Sequence, residues 1–191
     1  MLLPETSDYP SQIAQLIESA AVCPLTPGKP NQEAKAQLSS LTPDMVFEGH
    51  SLCDLEMANS CISGLWLLHN YLDDSHTISQ DNHSSTGSYW HGIMHRREPD
   101  YSNAKYWFRK VGQHSAMADV QLAAANIAKS AKLDADTQFL ADNSTWDAFT
   151  MVDACQAANS GNENAATILR QVAGAEWRIL FNYCFRKAIG Q

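Results

Sequence analysis

Residues 87–112 read GSYWHGIMHRREPDYSNAKYWFRKVG, and the fold class follows from how this run is punctuated. Ser88 is a capping residue type for a helix over 89–97, and Pro99 ends that helix because the residue before a proline is driven out of helical geometry. Asp100 or Ser102 can cap a second helix over 103–111, and Gly112 is the residue type that stops one. The run therefore predicts two short helices joined by a tight turn.

The same period extends in both directions. Upstream, Leu55, Ala58, Ile62, Leu65, Trp66, Leu68, His69 and Leu72 recur at three- and four-residue steps. They predict one long buried helix over 51–72, capped by Ser51, with His69 as a satisfied core histidine. Gly64 inside it costs about 1 kcal/mol relative to Ala unless a neighbouring element needs the close approach. Residues 73–80 are polar and short, and 81–87 are loop-like in composition. Nearer the start, Ile13, Leu16, Ile17, Ala20 and Ala21 predict a helix over 11–22. A proline-rich loop follows, then a short helix over 32–41 led by Asn31. Downstream come an alanine-rich helix over 116–131, a turn over 137–141, a helix over 145–158 capped by Ser144, and a last long helix over 163–189. No stretch alternates as a strand does. The expectation is all-α: a single compact helical bundle of about six to eight helices, one domain over 1–191, with residues 73–112 as its most distinctive region.

Composition limits the functions open to it. Of 191 residues, 45% are hydrophobic and 18% charged, as in ordinary globular proteins, and the net charge is −8. An acidic chain is a poor general nucleic-acid binder, which needs excess Lys and Arg to displace counterions. That lowers the standing of the helix–turn–helix shape as a DNA reader. Five cysteines form no CxxC pair, which suits reduced, mostly buried thiols. No run is long and apolar enough for a membrane span and the N-terminal residues lack a signal pattern, so the expected setting is cytoplasmic, with no membrane partner. Within 87–112, however, five basic residues face two acids, a basic island suited to a small anionic molecule.

Three sets of residues carry chemistry. His91 and His95 are four apart, hence on one helix face, and Glu98 follows on nearly the same face. Two imidazoles and a carboxylate can hold a divalent metal such as zinc, or exchange protons without one. The HExxH pattern is not met, because Gly92 stands where its glutamate would be. Asp73, Asp74 and His76, with Gln80, form a second set, in which an aspartate can orient an imidazole and Asp73 and Gln80 can contact a ligand. The third set is basic: Arg96, Arg97, Lys105 and Arg109 can grip a carboxylate or phosphate.

The run DSHTISQ, at 74–80, followed by the run over 87–112, resembles a family of uncharacterised bacterial and fungal proteins across LDxSHxISQ and GSxWHxIMHRRExDxxNAKYWFRxVG. The likeness spans about residues 60–114. Similar proteins continue with His-Pro and an apolar pair, where this chain has His114-Ser115-Ala116-Met117. The resemblance implies that His76, His91, His95, Arg96, Arg97 and Glu98 share one site. Three functions stay open at this point. The first is a small-molecule enzyme, with or without the help of a metal, with His76, His91, His95 and Glu98 as catalytic groups, the three histidines as metal ligands, and an anionic substrate. The others are a helical module that binds an anionic ligand without catalysis, and a scaffold domain with a buried polar network.

Overall fold

The computed structural model describes residues 3–20, 23–142 and 144–191. Among them there is no strand, and the helices number eleven rather than six to eight. Eight correspond to expected helices: α1 (Ser11–Ser19), α2 (Lys35–Ser40), α4 (Leu55–Leu68), α6 (Ser85–Arg97), α7 (Tyr101–Val111), α8 (Ala116–Ala128), α10 (Ala148–Asn159) and α11 (Glu163–Ala188). The single turn α9 (Phe139–Asp142) falls at the turn expected over 137–141, and the additions are the single turn α3 (Pro43–Val46) and the ten-residue α5 (Leu72–Asp81). Positions 21 and 22 of the first expected helix lie outside the described residues. No helix among the described residues is long and apolar enough to cross a membrane.

α4 and α11 form the centre. Eleven of the fourteen residues of α4 are buried, so its apolar pattern runs almost all round. Leu55, at its exposed start, is the exception to the expected inward set. Trp177 of α11 donates its indole N–H to the Gly64 carbonyl at 2.8 Å and stacks on Phe181, with ring centres 4.9 Å apart. Gly64 is explained by packing. A Cβ there would stand 2.8 Å from the Trp90 ring of α6, and Trp90 has no exposed surface to retreat into. All five cysteines are unpaired; Cys23, Cys61, Cys155 and Cys184 are buried and Cys53 is exposed.

Helix boundaries depart from the sequence pattern where tertiary hydrogen bonds take the backbone elsewhere. α4 begins at Leu55, not at 51, because the Cys53 and Asp54 amides cap the far end of α11 through the Ala188 carbonyl, at 2.7 and 3.2 Å. Its cap is Asp54, which accepts from the Met57 amide at 3.0 Å. It ends at Leu68 because His69 turns away, with Nε2 3.0 Å from the Leu16 carbonyl and Nδ1 3.1 Å from the Asn31 amide nitrogen. His69 is thus the satisfied core histidine that its place on the apolar face suggested. Asn70 then takes a φ of 67°, which no helix continues.

α5 and the start of α6 depart from the sequence pattern. The fully buried residues of α5 are Ser75 and Ser79, with Leu72 and Ile78 only half-buried beside them. Ser63 of α4 donates to the Ser75 carbonyl at 2.9 Å, so small hydroxyls let the two helices approach. α6 starts at Ser85, its cap being Ser84, which accepts from the Gly87 amide at 3.2 Å, rather than Ser88. α10 is capped by Asp147 rather than Ser144. The turn between α6 and α7 is as expected, with Asp100 accepting from the Asn103 amide, and Gly112, at a φ of 60°, ends α7.

Candidate metal centre

α6 decides the site because it is buried on every side: Thr86 to Arg97, twelve of its thirteen residues. A buried polar group must find a partner or pay a desolvation cost. The polar residues of α6 solve this in two directions.

Towards α5 and α7, the helix presents His91 and His95. His76 comes from α5, which lies against α6. The three rings have centre-to-centre distances of 4.5 Å (His76–His91), 4.8 Å (His91–His95) and 5.5 Å (His76–His95). One ring nitrogen from each falls within 4.8 Å of the other two. Around a tetrahedral ion with Zn–N bonds of about 2.1 Å, ligand nitrogens stand ~3.4 Å apart. Small rotations of the rings, about an ångström at the nitrogens, close the cluster to that size.

The outer nitrogens are held by the protein. His95 Nδ1 is 2.9 Å from a carboxylate oxygen of Glu98, and His91 Nδ1 is 3.4 Å from the Ser79 hydroxyl. Among the described residues His91 Nε2 and both ring nitrogens of His76 take no hydrogen bond, which leaves lone pairs for a ligand. Trp107 of α7 stacks on His91 at 3.9 Å, and the Asn103 amide nitrogen lies 3.1 Å from His95 Nε2. Burial, then the neighbouring His95 and His76 rings, push the pKa of His91 down to about 3. Burial also lowers that of His95, against the pull of Glu98. These imidazoles are neutral near pH 7, the state in which imidazole binds metals.

Away from α5, the helix presents a structural set. Arg96 pairs with Glu176 of α11, a side chain with no exposed surface, and Tyr89 donates to the same carboxylate at 3.1 Å. Arg97 donates to the carbonyls of Thr26, Pro27 and Leu67 and to the Asn70 side chain, and so fastens the proline-rich loop to the end of α4. Burial brings the Arg97 guanidinium down to about 10, still charged at neutral pH. On α7, Lys105 pairs with Asp153 at 2.5 Å and Arg109 lies over the Phe149 ring, both partners belonging to α10. The four basic residues expected to grip an anion thus each have a protein partner. The resemblance joined Arg96 and Arg97 to the histidines; the structure turns them to other neighbours.

Asp73 and Gln80 are exposed on α5, three residues before and four after His76, and so flank it on one helical face. Asp74 pairs instead with Lys35 at 3.2 Å. Gly92, at the position that broke the HExxH pattern, is there for packing: a Cβ would stand 3.1 Å from the Phe108 ring. Sequence reasoning missed Ser79, Asn103 and Trp107, and counted Lys110 only as one of the five residues of the basic island. Asn103, Trp107 and Lys110 stand at i, i+4 and i+7 on α7, a single helical face, and that spacing was available as a signal. Lys110 Nζ lies 4.3 Å from the centre of the Trp107 ring.

No family model, curated protein or solved structure matches the chain.

Proposed function

We propose that His76, His91 and His95 bind one divalent transition metal, and that the protein is a metal-dependent enzyme that activates water against a small molecule. The observation that carries this reading is the convergence of three buried or half-buried imidazoles, from two helices, with nitrogens within 4.8 Å. Three neutral ligands leave the ion its full charge and at least one open position, the arrangement of catalytic rather than structural zinc sites. Such an ion lowers the pKa of bound water towards 7. Glu98 supports the reading as the carboxylate behind a ligating histidine, which fixes its tautomer and raises its basicity.

A second reading is favoured by the other side of α6. The buried Arg96–Glu176–Tyr89 set is the polar network expected of a scaffold domain, and on that view the histidines belong to it. Metal content separates the two. The untagged protein, purified without chelator, is assayed by mass spectrometry alongside His76→Ala, His91→Ala and His95→Ala, with circular dichroism as a check on folding. Near one equivalent of zinc, iron, manganese or cobalt, lost in all three variants, supports the enzyme reading. A metal-free protein that also fails to take up added zinc or cobalt contradicts it.

A further inference from the structure

Building on the metal reading, we infer that the open side of the centre takes a small oxyanion, a carboxylate or phosphate, held jointly by the ion and by Lys110 and Asn103 of α7. The α7 side of the rim is the donor side. Glu98 is committed to His95 Nδ1 at 2.9 Å and Asp100 to the Asn103 backbone amide at 3.1 Å, while the exposed Asp73 lies across the site on α5. On this side α7 offers the side-chain donors Asn103 and Lys110. The Asn103 side-chain N–H points at His95 Nε2, 3.1 Å away, so an ion taking that lone pair displaces it and frees the N–H for a bound ligand. The Lys110 ammonium is exposed, 4.3 Å from the Trp107 ring centre, and that ring is 3.9 Å from His91, so the ammonium is within about 8 Å of the His91 ring. No ion pair holds Lys110 among the described residues, in contrast to Lys105, which has Asp153.

The shape of the site limits the size of the ligand. His91 and His95 lie at the bottom, while His76, Asn103 and Trp107 are half-buried and Glu98 and Lys110 exposed. Burial thus falls off from α6 outwards, and the open side of the histidines faces the surface. The molecule's larger cavities lie elsewhere, one of about 640 Å³ being lined by residues that include Phe108, His114, Trp146 and Phe149. A near-surface site with a divalent charge at its base and two donors on the α7 side favours a compact ligand with two acceptor oxygens, one for the ion and one for α7. An ammonium cannot accept a hydrogen bond, and the like charge of Lys110 and the ion would repel a cationic ligand.

Cobalt supplies the test, since its visible spectrum reports the coordination sphere. The Co(II)-loaded full chain is titrated with acetate and with inorganic phosphate at constant ionic strength, chloride serving as the control anion. A saturable spectral change with acetate or phosphate is expected. Lys110→Met should weaken it at least tenfold and Asn103→Leu severalfold, with cobalt stoichiometry unchanged, and Lys110→Arg should retain most of it. Cobalt bound at one equivalent with no response to either oxyanion, or a response that Lys110→Met leaves intact, overturns the oxyanion assignment and spares the metal centre. Failure of cobalt to bind removes both.

Discussion

Replacing Glu176 by leucine puts a magnitude on the structural side of α6. Glu176 has no exposed surface, and Arg96, its partner, is 2% exposed. Removing the carboxylate leaves a guanidinium buried without a counter-charge, which costs about 3–5 kcal/mol. Tyr89 also loses the acceptor for its hydroxyl, at about 1 kcal/mol. Against a total stability on the order of 10 kcal/mol, this is near half. With a urea slope of about 2–3 kcal/mol/M for a chain of this length, the midpoint should fall by about 2 M. The companion variant removes both charges, Arg96→Met with Glu176→Leu. One guanidinium nitrogen of Arg96, Nη1, has no hydrogen-bond partner, so the ion pair is imperfectly satisfied as it stands. The double variant should therefore recover most of the loss, giving a coupling of several kcal/mol in a double-mutant cycle. It should also keep its metal content, because neither residue touches the histidines. A Glu176→Leu protein within about 1 kcal/mol of the parent, or a double variant no better than the single, would refute the reasoning.

Three further outcomes follow from named contacts. Glu98→Gln should weaken metal binding ~10–100-fold in a chelator competition, because the carboxylate behind His95 is lost; unchanged affinity would remove Glu98 from the site. Gly64→Ala trades a helix-propensity gain of about 1 kcal/mol against a contact with Trp90 that the ring cannot escape, so thermal unfolding should show a net loss of roughly 1–2 kcal/mol, and a stabilised variant would contradict the packing. His114 receives the Ala116 amide at Nδ1 and lies 3.0 Å from Thr86 through Nε2, and burial lowers its pKa from 6.5 to about 4. A folded value below the unfolded one means that the unfolded chain takes up the proton first. Stability should fall as pH drops from 6.5 to 4, by about 3 kcal/mol from this group. His114→Gln should flatten that part of the melting-temperature profile, and an unchanged slope would show that another group sets it.

Much of the helix–turn–helix run was legible because its signals are local: a proline, Asp100 as a cap, and Gly112 with its positive φ. The class of the fold was legible for a similar reason, since α4 and α11 repeat apolar residues at helical spacing over long stretches. α5 was not, because Ser75 and Ser79 are its fully buried residues and hydroxyls carry no hydrophobic period. The start of α4 was misread because the Cys53 and Asp54 amides bond to Ala188, a partner 134 or more residues away. The same limit applied to the site. Spacing placed His91 and His95 together, and only tertiary packing could bring His76 beside them. Arg96 and Arg97 adjoin His95 in sequence, yet successive residues on a helix point about 100° apart, and each found a partner on another element. The Asn103, Trp107 and Lys110 face was written in the sequence but concealed among the other aromatic and basic residues of α7.

The most direct measurement is anomalous diffraction at the metal edge from crystals of the protein grown with one equivalent of zinc. The account predicts one strong peak about 2.1 Å from a ring nitrogen of each of His76, His91 and His95, with Glu98 still bonded to His95. A peak at other residues, or none at the histidines in zinc-saturated crystals, would contradict it.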